Sequence, residues 1–313
     1  MNDASPVRVE DPRLLRGRAT FTDDVHLDRM VHAVFIRSPM AHAEIVGIDI
    51  EPALAAGALA VITAENFPFI DKKLISRFWN PAIRGGQPDL LATDRVRHVG
   101  EAVALVIAED RYAAEDIAVL VAVDYRPLPP VATTAGAVAP DAAQLHEDWP
   151  ENIAAEIANT SGDAQTAMDE APRRLKRSFR FGRQTGLPLE TRGCVADFDT
   201  DRNRLTIRIS TQTHYNVRNN LAEILGLPEY DVRVIAEDVG GGFGAKSRPY
   251  AEEIIVSYAS RLLSRPVKWI EDRSESLQAT THSRAIETEI EIGYNDAGRI
   301  LSLRGNLVVD IGA

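Results

Sequence analysis

A glycine-rich segment carries the strongest chemical signal in the sequence: residues 239–246 read VGGGFGAK, with four glycines in five positions. Glycine has no Cβ and tolerates a positive φ, so several backbone N–H groups of such a turn can converge on an anion or an oxo group. A predicted helix follows, and its N-terminal dipole would strengthen the attraction. The alternative is a tight turn without a ligand, which four glycines disfavour because they lose much conformational entropy on folding.

Two nucleotide-binding templates can be compared with this turn. The phosphate loop of nucleotide hydrolases needs a glycine directly before its lysine, and Ala245 stands there, so that template fails. Gly240, Gly242 and Ala245 formally meet the dinucleotide pattern G-x-G-x-x-G/A. Glu271 could bind a ribose but lies later than the pattern requires, and Phe243 would crowd a pyrophosphate. An NAD(P)-dependent dehydrogenase that uses this turn stays open.

Periodicity places the turn in an α/β region that begins near residue 151. The predicted elements are strands at 205–209, 232–236 and 267–270 and helices at 217–225 and 250–263. Glycine at 226 is the predicted stop of the first helix. Isoleucines alternate with glutamates over 286–292, which predicts a strand with one acidic, solvent-exposed face. A turn at 295–298 then leads into a paired strand at 300–309.

The region before residue 150 predicts a smaller α/β unit. Its elements are strands at 30–36, 43–50, 58–63, 103–107 and 120–125 and helices at 51–57 and after 110. Residues 131–172 are rich in Ala, Thr, Asp and Pro and predict a connection with one short helix at 163–171. We therefore expect two domains, 1–150 and 151–313.

Composition excludes several classes of protein. The chain has 313 residues and a net charge of −11, which argues against a nucleic-acid-binding surface. Its single cysteine excludes an internal disulfide and an iron–sulfur cluster held by this chain. No apolar run is long enough for a membrane span, and residues 1–16 lack the apolar core of a secretory signal. These features predict a soluble, cytoplasmic protein.

Several motifs, taken in order, resemble one family. They are RGRATFTDDV, RSPMAHAEI, VRHVGEAVALVIAEDRYAAEDIAVLVAVDYRPLP, GLPLETRGCVADFD, ISTQT, DVRVIAEDVGGGFGAK and RPVKWIEDRSE. Together they resemble the molybdenum-binding large subunit of the xanthine dehydrogenase, aldehyde oxidase and aerobic carbon monoxide dehydrogenase family, over nearly the whole chain. The resemblance implies an α+β fold, with an N-terminal α/β hammerhead domain at 1–150. The first part of a mixed α/β molybdopterin cofactor-binding domain would follow at 151–313.

The resemblance also implies a cofactor, molybdenum–molybdopterin in its cytosine dinucleotide form. The residues that would present backbone N–H groups to it are Gly241, Gly242, Phe243 and Gly244. We expect Gly242 to need a positive φ. Gln212 of the STQ motif would donate a hydrogen bond to an oxo ligand, because a neutral amide adds no charge to an anionic centre. From the residues alone, a strand-end glutamine that bonds its neighbours is the alternative. No side chain of this chain is expected to coordinate the metal.

Two residues after the turn bear on cofactor and substrate. Lys246 would contact a cofactor phosphate or would pair with Glu252 or Glu253 on the surface. Ser247 stands where xanthine-type relatives have a purine-binding glutamate. The resemblance therefore implies that xanthine is a poor substrate and leaves the substrate open.

Five further residues keep two interpretations each. Glu190 and Arg192 would shape a substrate funnel or form an internal salt bridge. Cys194 lies in an apolar stretch and is expected to be a buried, inert thiol rather than a metal ligand. His214 and His282 would face the site or serve as hydrogen-bonded structural histidines.

The family's activity is hydroxylation with water as the oxygen source. The resemblance therefore implies a molybdenum-dependent oxidoreductase for an aldehyde, an N-heterocycle or another small carbon substrate. Its base glutamate lies near the C-terminus in relatives and is not expected in this chain, which would be an N-terminal portion of the subunit. Expected partners are the C-terminal remainder of that subunit, an iron–sulfur subunit carrying 2Fe-2S and an FAD subunit. A non-catalytic assembly module is the other alternative, and the intact Gln212 and GGGFG turn disfavour it.

Overall fold

The computed structural model describes residues 8–75, 83–84 and 89–312. Within these ranges the strands are β1 (Val31–Arg37), β2 (Ala43–Asp49), β3 (Ala60–Thr63), β4 (Arg95–Val96), β5 (Ala102–Ala108), β6 (Ala122–Pro127), β7 (Arg173–Gln184), β8 (Gly193–Asp199), β9 (Arg204–Ile209), β10 (Val232–Ile235), β11 (Val267–Ile270), β12 (Ser283–Tyr294) and β13 (Ile300–Val309). The α-helices are α1 (Asp11–Leu14), α2 (Glu51–Ala55), α3 (Arg111–Ala118), α4 (Thr134–Ala137), α5 (Ala164–Asp169), α6 (His214–Leu225), α7 (Ala251–Leu263) and α8 (Arg273–Ala279).

Local signals fix the ends of the longer helices. The Asp110 side chain accepts from the backbone N–H of Ala113 at 2.9 Å and caps α3. Asp272 and Glu275 form a reciprocal capping box at the start of α8. Gly226 ends α6 with a φ of 67°, so the predicted stop is confirmed.

A seven-stranded sheet forms the centre of the fold, in the order β10-β9-β8-β11-β1-β5-β3. β1 runs parallel to β11 and pairs Val31 with Val267, so strands from both sides of residue 150 share this sheet. At this junction the rings of Phe35 and Trp269 meet edge to face, with centroids 5.4 Å apart. The expected domain boundary near residue 150 stays a prediction.

Helices α6 and α7 cover the β8–β9–β10 end of this sheet. Their buried residues, including Leu221 and Ile255, join the same core as Ile207 of β9. Cys194 on β8 is completely buried in that core, and burial raises the pKa of its thiol. The expectation that Cys194 is buried is confirmed, and burial of this kind disfavours the nucleophilic thiolate form.

Two three-stranded sheets flank the centre, in the orders β4-β2-β6 and β13-β12-β7. We did not predict β7, whose sequence RRLKRSFRFGRQ is almost entirely exposed. Its cations pair with glutamates of β12, as in the Lys176–Glu289 pair at 2.6 Å. The predicted glutamate face of β12 is therefore present, but it is only partly exposed to solvent, since the Glu291 side chain is 15% exposed. The opposite face of this sheet carries exposed apolar residues, among them Phe179, Phe181 and Leu307.

Among the residues that the structure describes, no helix combines the length and the apolarity that a membrane crossing requires.

Candidate cofactor-binding site

The sheet brings the two candidate segments together. β9 and β10 are parallel neighbours that pair Leu205 with Val232, so their C-terminal ends lie at one edge. Chain 210–213 leaves β9 there, and the turn at 239–246 follows β10 at the same edge. Open sheets place ligand sites at such carboxyl edges because loops from neighbouring strands converge there.

Glycine is needed in the turn for two different reasons. Gly241 and Gly244 adopt φ values of 103° and 90°, and Phe243 between them has a φ of 50°. Gly242 is not in the left-handed region, so our reason for requiring glycine there was wrong. Contact is the reason instead: a Cβ at Gly242 would lie 2.4 Å from Cδ and Oε1 of Gln212. A side chain at position 242 would overlap Gln212, so this position requires glycine.

Gln212 is held against the turn from both of its ends. Its backbone N–H donates to the carbonyl of Lys246 at 2.9 Å, and its Oε1 accepts from the N–H of Gly244 at 3.1 Å. This second bond fixes which end of the amide faces the turn. Its Nε2 donates to no other residue in the described part of the chain, so that donor is available to a ligand.

The turn itself holds three further backbone donors. The N–H groups of Gly241, Gly242 and Phe243 make no hydrogen bond within the described ranges. The Phe243 side chain is 74% exposed, and its ring lies beside Gly241, where an added Cβ would be 2.8 Å from Cε2 of Phe243. Gly244 differs from the other three expected contacts because its N–H already bonds Gln212. Consecutive donors of this kind can bind an anion or an oxo group.

Lys246 lies underneath the turn rather than on the surface. It is 2% exposed, and its Nζ donates to the carbonyl of Glu190 at 2.8 Å and to Ser210 Oγ at 2.6 Å. The Glu190 carboxylate is 3.2 Å away. Burial lowers the pKa of Lys246, and Glu190 opposes that shift. The expected pairing with Glu252 or Glu253 is therefore wrong.

Arg192 sits in a buried ion network next to this site. Its Nη2 lies 2.5 Å from Glu271 Oε1 and 3.1 Å from Glu252 Oε1. Burial opposes the charge of Arg192, but Glu252 and Glu271 outweigh it and raise the arginine's pKa. Arg192 and Arg37 likewise overcome the effect of burial on Glu252 and lower its pKa to about 2. Arg192 thus forms an internal salt bridge, and Glu271 is not available to bind a ribose.

Tyr250 connects this network to the turn, a link that the sequence did not reveal. The guanidinium of Arg192 stacks 3.9 Å from the ring centroid of Tyr250. The hydroxyl of Tyr250 donates to the carbonyl of Ala245 at 2.5 Å. Ser247 Oγ donates to the carbonyl of Gly244 at 2.6 Å. The C-terminal half of the turn is therefore fixed by side chains that follow it.

The helix after the turn begins with two buried carboxylates. α7 begins only at Ala251, and its first turn buries Glu252 and Glu253. Burial raises the pKa of Glu253 to about 8, and its Oε2 has no hydrogen-bond partner among the described residues. The contribution of this helix dipole to the turn stays a prediction.

The remaining candidates do not form a metal site. His214 is exposed at the start of α6, and Nε2 of His282 is buried without a hydrogen-bond partner in the described ranges. Within those ranges no three His, Cys, Asp or Glu side chains lie close enough together to hold a metal ion.

Comparison with known families agrees with this geometry. Residues 145–313 match the molybdopterin cofactor-binding domain, and residues 16–129 match the a/b hammerhead domain of aldehyde oxidase and xanthine dehydrogenase. A hammerhead domain followed by a molybdopterin-binding domain defines a class of molybdenum proteins. The chain belongs to the aldehyde oxidase and xanthine dehydrogenase family within that class, and the expected fold class is confirmed.

Curated relatives match the chain along nearly its whole length. It is 36% identical to the nicotine 6-hydroxylase large subunit of Paenarthrobacter nicotinovorans, covering 98% of this chain and 38% of that protein. It is also 36% identical to the carbon monoxide dehydrogenase large chain of Hydrogenophaga pseudoflava, covering 97% and 39%. The chain thus spans about two fifths of the length of these relatives.

Solved structures give the same result. Carbon monoxide dehydrogenase from Oligotropha carboxidovorans aligns with a TM-score of 0.89 at 34% identity, over 98% of this chain and 39% of that one. Quinoline 2-oxidoreductase from Pseudomonas putida 86 aligns with a TM-score of 0.86 at 32% identity, again over 98% and 39%. A dinucleotide-binding dehydrogenase is not favoured. These structural matches are to molybdenum enzymes, and Glu271, the candidate ribose ligand, is already paired with Arg192.

Proposed function

We propose that this chain supplies one wall of the molybdenum-cofactor site of a multi-subunit hydroxylase. One observation carries the proposal. The carboxyl edge of β9 and β10 holds three adjacent N–H donors of the turn and the Nε2 donor of Gln212, none of them used by the described protein. Donors that are fixed before a ligand arrives are what an anionic oxo centre needs for stabilisation.

The residues fit a molybdopterin group in shape and in charge. The space beside Gly242 is taken by the Gln212 side chain, whereas the space beside Gly244 is open, because apart from its chain neighbours no described residue lies within 4 Å of a Cβ built there. The donors are neutral amides, while the cation of the motif itself, Lys246, is turned into the protein. A neutral cradle binds the oxo group without altering the charge of the metal centre.

Bound molybdopterin would supply a two-electron redox centre that inserts oxygen taken from water into the substrate. This chain's contribution is to hold and orient that centre. Gly241, Gly242 and Phe243 would donate backbone N–H groups to the cofactor. Gln212 would donate Nε2–H to an oxo ligand, and its bond to Gly244 would prevent the amide from rotating away.

The substrate we propose is an N-heterocycle, an aldehyde or another small carbon compound. Ser247 bonds back into the turn at Gly244 and provides no carboxylate to bind a purine. Relatives that cover the chain are described by name as acting on nicotine, quinoline and carbon monoxide. We accordingly propose that xanthine is a poor substrate.

Partners are part of the same proposal. The apolar face of the β13-β12-β7 sheet, with Phe181 52% and Leu307 59% exposed, is a surface of the kind that a further part of the molybdenum subunit would cover. Iron–sulfur and FAD subunits would take electrons away, since Cys194 is the one cysteine of this chain and is buried. A cytosine dinucleotide tail on the cofactor and a cytoplasmic location also belong to the proposal.

Anaerobic reduction with quinoline, nicotine or benzaldehyde tests this function in the protein purified with the chains that accompany it. We expect at least one of these substrates to bleach the visible absorption of flavin and iron–sulfur centres. The Gln212→Ala variant should keep its molybdenum and reduce about 10²–10³-fold more slowly. Unchanged reduction by that variant would show that Gln212 does not act on the centre.

A further inference from the structure

One carboxylate beneath the glycine turn collects hydrogen bonds from three separate segments. Glu190 Oε2 accepts from the N–H of Gly240 at 2.7 Å and from the hydroxyl of Ser210 at 2.5 Å. Its Oε1 accepts from the N–H of Thr22 at 3.2 Å. The turn, the end of β9 and the N-terminal segment therefore meet at one side chain.

Lys246 completes this junction with positive charge. Its Nζ bonds the carboxylate and the carbonyl of Glu190 as well as Ser210 Oγ. Its own carbonyl accepts from the N–H of Gln212 at 2.9 Å and from Thr211 Oγ1 at 3.3 Å. The lysine thus joins the carboxylate below the turn to the strand end that carries the Gln212 amide.

The backbone of Gly240 packs directly against the side chain of Glu190. A Cβ on Gly240 would lie 2.5 Å from Cβ of Glu190, so the turn can approach only because Gly240 has no side chain. The backbone adds a further bond, from the N–H of Glu190 to the carbonyl of Gly240, at 3.2 Å. A shift of Glu190 would consequently move the first residue of the turn.

Among the described residues, no charged side chain gives the second half of the turn comparable support. Gly244 is held by the neutral Gln212 amide, and the carbonyl of Ala245 by the hydroxyl of Tyr250. The start of the turn is therefore where an ionised side chain sets the position of the donors at Gly241 and Gly242.

We propose that Glu190 is a positioning residue for the cofactor-binding turn, acting through its bonds to Gly240, Ser210 and Lys246. This inference rests on the proposed function of the turn. The carboxylate must be an acceptor at every contact, because all of its partners are donors. A glutamine carries no charge and must turn its N–H either toward Thr22 or toward Gly240, so the charged bond to the Gly240 N–H is lost in both orientations.

Hydrogen exchange of the backbone amides separates this role from ordinary stabilisation. In Glu190→Gln we expect the Gly240 amide to exchange about 10–100-fold faster, the equivalent of losing a hydrogen bond to a charged group. Buried amides of β5 should keep their wild-type rates. The protein is measured with the chains that accompany it, together with its molybdenum content, which should fall in this variant.

Glu275→Gln is the matched control. The side chains of Glu275 and Glu190 are 18% and 15% exposed, and Glu275 also pairs with one cation and one backbone N–H, those of Arg37 and Asp272. It should leave the exchange of Gly240 and the molybdenum content unchanged. Equal acceleration at β5 and at the turn in Glu190→Gln would mean a general structural role and would overturn the proposal.

Ser210→Ala gives a second test in case Glu190→Gln fails to fold. It removes the hydroxyl shared by Glu190 and Lys246 without leaving a charge unpaired. We expect about fivefold faster exchange at Gly240 alone, from the loss of one hydrogen bond. An unchanged rate there would contradict the proposal. If the wild type holds no molybdenum, the proposed function fails, while the exchange rates still decide whether Glu190 positions the turn.

Discussion

Gly242→Ala is the substitution that best tests how the turn and Gln212 fit together. A Cβ at this position would lie 2.4 Å from Cδ and Oε1 of Gln212 and 2.6 Å from its Cγ. Carbon atoms in contact normally lie about 3.5–4.0 Å apart, so the amide must retreat by about 1 Å. Because Gly242 is not in the left-handed region, backbone strain contributes little.

The expected effect is small on stability and large on turnover. A displaced Gln212 loses its bond from the Gly244 N–H, which costs about 1 kcal/mol of unfolding free energy. A displacement of about 1 Å in a group that acts on the reacting centre can cost about 10²-fold in rate. Gly242→Ala should therefore resemble Gln212→Ala in its kcat.

A double-variant cycle measures the coupling directly. In the Gln212→Ala background the three clashing atoms are gone, so adding Gly242→Ala should change kcat less than about twofold. Gly182→Ala is the matched control, since Gly182 lies in β7 with ordinary φ and no atom within 4 Å of an added Cβ. All rates are expressed per bound molybdenum, so that loss of cofactor is not counted as slow chemistry.

A loss of kcat in the double variant equal to the sum of the two single-variant losses, expressed as free energies, would refute this reasoning. It would mean that Gly242 and Gln212 act separately, and that the close approach of a built Cβ does not describe a real constraint. Wild-type turnover in Gly242→Ala would show that an added Cβ does not displace the Gln212 amide.

Three further predictions follow from the buried charges and from Ser247. Because burial raises the pKa of Glu253 from 4.5 to about 8, its stabilising effect is full below pH 4.5 and is lost as the pH rises to 8. Urea unfolding should show the advantage of Glu253→Gln over wild type growing by about 3 kcal/mol between about pH 5 and pH 8; a constant difference would contradict this. Arg192→Met should lower the unfolding free energy by about 3–5 kcal/mol, because Glu252 and Glu271 stay buried without it, whereas Met at exposed Arg202 should have little effect. In the anaerobic assay xanthine should reduce the enzyme much more slowly than the best N-heterocycle or aldehyde, and fast reduction by xanthine would show that Ser247 does not limit purine binding.

Local patterns were sufficient to predict most elements of the fold. The apolar alternation of β9, the helical spacing of α6 and the glycine that ends it act within a few residues, so they can be read from the sequence. β7 was missed because half of its residues are charged, and its place depends on pairing with the glutamates of β12 far along the chain. The pairing of β1 with β11 is equally non-local.

The candidate site likewise has a part that local motifs predict and a part that depends on contacts between distant segments. The glycine turn and Gln212 could be found from motifs, but their contact depends on β9 and β10 being parallel neighbours. Lys246 shows the limit most clearly. Nearby glutamates in the sequence suggested its partners, whereas its true partner, Glu190, comes from a distant segment.

Molybdenum and pterin content, measured in wild type and in Gly242→Val, tests the central claim most directly. Both proteins are produced with their accompanying chains in a molybdenum-replete host and compared with Gly182→Ala. We predict stoichiometric molybdenum and pterin in wild type and in the control, and neither in Gly242→Val, whose branched side chain would displace the Gln212 amide from beside the turn. A wild type without molybdenum, or a fully loaded Gly242→Val, would contradict the assignment of this turn to the cofactor.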